Sequence, residues 1–252
     1  LVFLTKALGM PAALAGAIPM VGKVWDAITD PMMGNITDRT TSRFGPKRLY
    51  ILIGGILSAI AFILLWTTIP SRSTTVLFIY YIVIYCFFST CFTIIMVPYN
   101  GLLPDMVDSY DVRSKFSSLR MIWSTVGAIL AGLIPTLMIK DTLNTSMYLK
   151  VAVIFGILFG IAAIVTFAGT WEKVKPPVKT RLRDSFSEAS SVFKSRSFII
   201  FIGIYLSGQC AMDFVSGMAI YYVDDVLQGY DKGYLTMLMG VLLSSQLIGM
   251  LL

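Results

Sequence analysis

Apolar runs of twenty residues or more, repeated along almost the whole chain, leave this sequence few folds to choose from. They fall at roughly 11–36, 49–69, 76–103, 117–139, 148–170 and 198–227, and a further one extends from about 233 to the end. Residues 1–10 read as the close of a preceding apolar segment and a tight turn at Leu8-Gly9-Met10-Pro11. Pro11 suits a first helical position, where its missing N–H would have no partner anyway. Each full run can cross a bilayer, and inside hydrocarbon a segment must satisfy its own backbone groups, which predicts helices. Composition agrees: 56% of residues are hydrophobic, 13% are charged, and mean hydropathy is +0.79. The expected fold class is therefore all-α, a polytopic membrane protein with about seven spans. A chain that opens on Leu1 and closes on Leu252 inside apolar runs also reads as a piece of a longer protein.

The connecting segments carry an orientation signal. Loops 37–48, 104–116 and 171–197 hold thirteen Lys and Arg residues, against five in the alternate loops and the first ten residues. By the rule that basic loops stay inside, the three rich loops are expected to be cytoplasmic and the protein to lie in the cell (inner) membrane. The net charge of +6 is accounted for by these loops, so no nucleic-acid partner is implied. Between residues 171 and 197 lies the one long polar stretch, where Leu182, Phe186, Ala189 and Phe193 recur at helical spacing. It reads either as an amphipathic helix on the inner surface or as a solvated linker. The expected division is residues 1–170 as most of one bundle, 171–197 as the linker, and 198–252 as the start of a second.

Within the first full run stand Lys23, Asp26 and Asp30, spaced three and four apart and hence on one helix face. Charges at that depth are costly and persist where they meet a cavity or a partner. One ammonium against two carboxylates leaves a deficit of one positive charge, which a monovalent cation or a proton would fill. The alternative is a structural ion pair between Lys23 and an acid. Thr29, between the acids, is either an added oxygen ligand or bonded to its own helix backbone. Gln209 and Asp213 form a second intramembrane polar pair, for which function and inter-helix hydrogen bonding stand level. Gly156 with Gly160, and Ala128 with Gly132, read as small-residue contacts between helices.

Other chemistry is sparse. The chain has no His, and Cys86, Cys91 and Cys210 lack metal-ligand spacing, so packing is the simplest role for them. With no nucleophile-and-base pair, no enzyme is expected, and no cofactor or metal beyond a coupling Na+ or H+.

Two sets of motifs carry a family resemblance. Gly34-Asn35-Ile36-Thr37-Asp38-Arg39 followed by Arg43-Phe44-Gly45-Pro46-Lys47-Arg48 resembles the loop signature of the major facilitator superfamily, an ion-pair latch between helix ends. Trp25 to Gly34, and Val97-Pro98-Tyr99-Asn100-Gly101-Leu102-Leu103-Pro104-Asp105 with Ser117-Ser118-Leu119-Arg120, resemble the glycoside-pentoside-hexuronide:cation symporter family. The resemblance spans nearly the whole chain and implies a fragment of a twelve-helix fold, from the end of helix I into helix VIII. It implies cation binding by Asp26, Asp30 and Thr93, sugar contact by Arg120, and charge balance by Lys23. Met96 stands where melibiose-transporting members carry an acid, and Asn100 where they carry a Trp, so melibiose is not the expected cargo. Trp25 and Tyr99 are candidate sugar-stacking rings, with plain packing as the alternative. For Arg120 the alternative is an arginine reaching back to the membrane surface.

The function these readings imply is symport of a sugar with Na+ or H+ by a protein that is monomeric when full length. A lysolipid or other amphiphile symporter of the same family is the nearer rival, and a non-transporting membrane sensor the more distant one.

Overall fold

The computed structural model describes residues 3–70, 73–139, 144–172, 195–221 and 241. A π-helical turn, Phe3–Ala7, leads into α1 (Ala12–Arg39), α2 (Pro46–Leu65), α3 (Thr74–Met106), α4 (Tyr110–Met138), α5 (Thr145–Gly169) and α6 (Arg196–Tyr221). No strand occurs among the described residues. The surface helix expected at 181–193 and the run from 233 fall outside them, apart from Val241. By contact density the chain divides into two compact units, Leu1–Met121 with Ile134–Val178, and Ile122–Leu133 with Lys179–Leu252.

Each of the six full runs contains a helix among the described residues, and four of these helices outrun their apolar stretches by three residues or more on the side of the basic loops. α1 continues to Arg39 and α3 to Met106, while α2 starts at Pro46 and α4 at Tyr110. Hydropathy finds the part that needs lipid, whereas the backbone ladder continues into polar residues until a cap or proline stops it. α2, α3, α4 and α5 are long and apolar enough to cross a membrane. α1 has the length, 28 residues, but carries Lys23, Asp26 and Asp30 in its middle. Pro11 proves to be the cap of α1 (φ −53°, ψ 135°) rather than its first helical residue.

In the first unit α2 is the central element, packed against α3 on one side and α5 on the other, while α3 also packs against α1. The reason is its small-residue face: Gly54, Gly55, Ser58 and Ala61 are buried, whereas Ile53, Ile56 and Ile60 face outward. A Cβ on Gly54 would meet Ile94 Cγ2 at 2.8 Å, one on Gly55 would overlap Ala163, and one on Gly156 would meet the Ala59 carbonyl at 3.1 Å. Lipid offers apolar side chains nothing to flee from, so helices associate by close backbone approach at such residues. At Gly160, one of the small positions expected to make a contact between helices, there is open space where a Cβ would go.

The two ends of this unit differ in chemistry. One end is aromatic: Phe3 lies 5.1 Å from both Trp66 and Tyr148, which stack on each other at 5.7 Å, and the Tyr81 hydroxyl donates to the Thr67 carbonyl at 2.8 Å. The other end gathers the start of α2 and the ends of α3 and α5 around charged groups. Gly45 precedes Pro46 at φ +95°, and the Glu172 side chain occupies the space where a Cβ would stand. A Glu172 carboxylate oxygen accepts from the Lys47 backbone N–H at 3.0 Å, so a residue beyond α5 caps α2. Glu172→Ala is expected to cost about 1 kcal/mol, the usual worth of a lost N-cap. The fall should appear in the thermal midpoint of the detergent-solubilised protein, with Glu172→Gln closer to the parent.

Candidate cation and substrate site

The acids of α1 point at α3. Ser89 Oγ donates to Asp26 Oδ1, and Thr93 Oγ1 donates to Asp30 Oδ1 at 2.8 Å. One turn before the first pair, Gly22 lies against the Tyr85 ring; one turn after the second, Gly34 faces Val97. All four pairs are separated by 63 residues. A constant separation means that α1 and α3 run in the same direction, and a step of four means that each helix presents its i, i+4 row to the other. The hydroxyls are therefore delivered to the carboxylates at the one repeat the two helices share.

Neither acid is matched by an amine. Lys23 is exposed, and among the described residues neither Asp26 nor Asp30 takes an ion pair, so the structural pairing of Lys23 with an acid does not form. Thr29 donates to the Trp25 carbonyl at 3.2 Å, the backbone alternative of its two readings. The Trp25 indole N–H donates to Thr90 Oγ1 at 2.8 Å, which fixes the ring to α3 while leaving it 42% exposed.

Further along α3 is a second cluster. Arg120 Nη2 donates to Asn100 Oδ1 at 2.6 Å, and the guanidinium carbon lies 4.8 Å from the Tyr99 ring centre. Arg120 thus engages α3 rather than reaching for a surface. Met96 stands one turn before Asn100 on the same face, half-buried. Asn100 and Thr93 are seven residues apart, also one face, about 10 Å along the axis.

The loop motif is assembled differently from the expectation. Asp38, the acid of that signature, makes no ion pair among the described residues. Lys47 instead pairs with Asp105 at the end of α3, and its Nζ donates to the Gly101 carbonyl at 2.8 Å. Arg48 lies 4.8 Å over the Phe167 ring and Arg43 lies 4.7 Å over Phe44. Gly34 belongs to the α1–α3 seam, Gly45 to the α2 cap, and Arg39 closes α1, where a cation suits the helix dipole. Gln209 is exposed on α6, and the side chain of Asp213 lies outside the described residues.

Sequence reasoning missed Ser89, Thr90 and Glu172. For Ser89 a signal existed, since Ser89 and Thr93 repeat at the same four-residue step as Asp26 and Asp30. Glu172 acts on a residue 125 positions away, which no local pattern reports.

Long apolar helices packed through glycine, four of them able to cross a membrane, with two carboxylates of one helix bonded to hydroxyls of another, are those of a multi-pass membrane protein. The chain belongs to the MFS/sugar transport protein family, whose model it matches over residues 1–252. It is 32% identical over 240 residues to the uncharacterized symporter YnaJ of Bacillus subtilis, covering 92% of this chain and 51% of that protein. To the isoprimeverose transporter of Lactiplantibacillus pentosus it is 26% identical, over 72% of this chain and 40% of the other. To the sodium-dependent lysophosphatidylcholine symporter 1 of Xenopus tropicalis it is 29% identical, over 51% of this chain and 25% of the other. The chain spans about half or less of the length of the curated relatives it matches.

Proposed function

We propose that the whole protein is a symporter that couples a monovalent cation, Na+ or H+, to the movement of a sugar. The observation that carries this reading is the pair of α1 carboxylates, each held by an α3 hydroxyl and neither neutralised by an amine among the described residues. Asp26 and Asp30, with Ser89 and Thr93, supply hard oxygen ligands of the kind a small cation takes. Cation binding removes net negative charge from the seam, and whatever it adds to sugar affinity, the sugar returns to the cation by linkage. Each cation moved inward gains about 2.3 kcal/mol per 100 mV of membrane potential. Arg120, Tyr99 and Asn100 form the substrate side, joined to the cation side through the single rod of α3. Relatives named as symporters, among them the isoprimeverose transporter, support the class. In this reading the basic loops lie inside.

A second reading has a specific observation in its favour. Met96, apolar and beside Arg120's partners, suits an amphiphile, and one relative is named a lysophosphatidylcholine symporter.

The test is uptake by the full-length protein in proteoliposomes, with Na+ and pH gradients imposed separately and isoprimeverose or lysophosphatidylcholine as cargo. Accumulation is expected to follow one of the two gradients and to vanish when it is collapsed. Uptake of both compounds at rates indifferent to both gradients would end the symport reading.

A further inference from the structure

The bond between Asp26 and Ser89 has a companion that crosses it. Trp25 precedes Asp26 on α1, Thr90 follows Ser89 on α3, and the Trp25 indole N–H donates to Thr90 Oγ1 at 2.8 Å. Successive residues turn by about 100° around a helix. On two helices running side by side in the same direction, one step back on the first and one step forward on the second reach the same flank of the seam. The indole therefore bridges α1 and α3 to one side of the acid–hydroxyl row, at the depth of Asp26. Its partner is matched in hydrogen-bonding sense. Thr90 Oγ1 directs its single proton to the Cys86 carbonyl at 2.8 Å, which leaves its lone pairs to accept, and an indole N–H can only donate. Ser89 and Thr93 instead send their protons across to the carboxylates.

We infer that the Trp25–Thr90 bond is a rotational stop that fixes the Asp26 and Asp30 carboxylates for the cation, so that both its members are positioning residues of that site. The inference rests on the cation reading above and adds how its carboxylates are held. The contacts of Gly22, Asp26, Asp30 and Gly34 with α3 lie along one line. Such a row resists sliding of α1 but leaves it free to roll. Side-chain oxygens stand about 5–6 Å from a helix axis, so a roll of about 30° carries them about 3 Å sideways. That is the whole length of a hydrogen bond, whereas a binding constellation needs its groups held to about 0.5 Å. A bond placed off the line removes the roll. The role belongs to the N–H of Trp25 and not to its ring, so Phe cannot perform it.

Na+ binding to the purified full-length protein, measured by titration calorimetry at fixed pH, tests this with four variants. Trp25→Phe keeps a ring and loses the donor, and Thr90→Val keeps the shape and loses the acceptor. Each is expected to weaken Na+ binding by about threefold to tenfold, the usual worth of one hydrogen bond. The double variant should be no weaker than either single one, because both changes remove the same bond. Thr90→Ser, which keeps the hydroxyl, should bind Na+ like the parent. Thermal midpoints are recorded alongside, without Na+. Na+ affinity unchanged in Trp25→Phe and Thr90→Val, whether or not their midpoints fall, would make the bond a plain brace and overturn the inference. So would losses that multiply in the double variant, Thr90→Ser falling as far as Thr90→Val, or a parent that binds no Na+. The symport reading is judged separately: H+-driven uptake by a parent that binds no Na+ upholds it while sinking this one, and the expected affinity pattern without ion-driven uptake does the reverse.

Discussion

Exchanging Asp30 for Asn is expected to cut ion-driven accumulation by about 10- to 100-fold while leaving a folded protein. Asn has the same size as Asp and keeps an oxygen for the Thr93 hydroxyl, so the 2.8 Å contact to α3 can persist. What it lacks is charge. Asp30 is exposed, so losing its charge-assisted contact with the cation is set at about 1.5–3 kcal/mol, a factor of about 10 to 100 in an equilibrium constant. Asp26→Asn should behave alike, because Ser89 plays for Asp26 the part that Thr93 plays for Asp30. The measurement is accumulation in proteoliposomes against a cargo gradient, alongside downhill uptake with no ion gradient. Downhill uptake should survive better than accumulation, since the cargo contacts near Arg120 are untouched. If both Asn variants still concentrate cargo at the parent's level, the carboxylates are not the cation site.

The second large effect concerns the fold. Gly55→Val should destabilise the protein by about 1–3 kcal/mol, the range for overpacking a well-packed core. A Cβ at Gly55 would overlap Ala163, which sits on the buried face of α5. To make room α2 and α5 must part, and α2 is the helix on which α3 also rests. With about 2–4 °C per kcal/mol for chains of this size, the thermal midpoint should fall by several degrees. Gly160→Ala is the control on the same partner helix, because nothing lies within 4 Å of a Cβ there. It should be neutral or slightly stabilising, since Ala favours helix over Gly by about 1 kcal/mol. An unchanged midpoint for Gly55→Val would mean that α2 and α5 are not held by close approach.

Much of this arrangement could be read from the chain before its structure. Hydropathy located the helices because a lipid-facing surface such as Ile53, Ile56 and Ile60 must be apolar whatever the fold. It misplaced their ends by up to seven residues, as at Tyr110 against 117, because polar residues continue a helix without registering as a span. Asp26 and Asp30 stood out for an energetic reason, since a charge at that depth is conspicuous, whereas Thr93 came only from the family resemblance. That Lys23 leaves both acids alone was not legible, since spacing on one face permits a contact without making it. The latch shows the same limit. Asp38 is nearer in sequence to Lys47, but Asp105 is nearer in space, because the end of α3 arrives beside the start of α2. Glycine was the least readable element, since Gly55 and Gly160 differ only in whether another helix lies opposite.

The constant separation of 63 residues between α1 and α3 also limits how the protein can move. Gly22 against Tyr85 and Gly34 against Val97 bracket the two acid–hydroxyl pairs above and below. A slide of one residue along the shared axis would drive the Tyr85 ring toward a side chain and strip both acids of their donors together. The two rods must therefore travel as one stiff body during any rearrangement of the bundle. On the proposed function, an ion that binds at Asp26 and Asp30 does so without parting this pair, since prising the two rods apart would strip both acids of their hydroxyl donors.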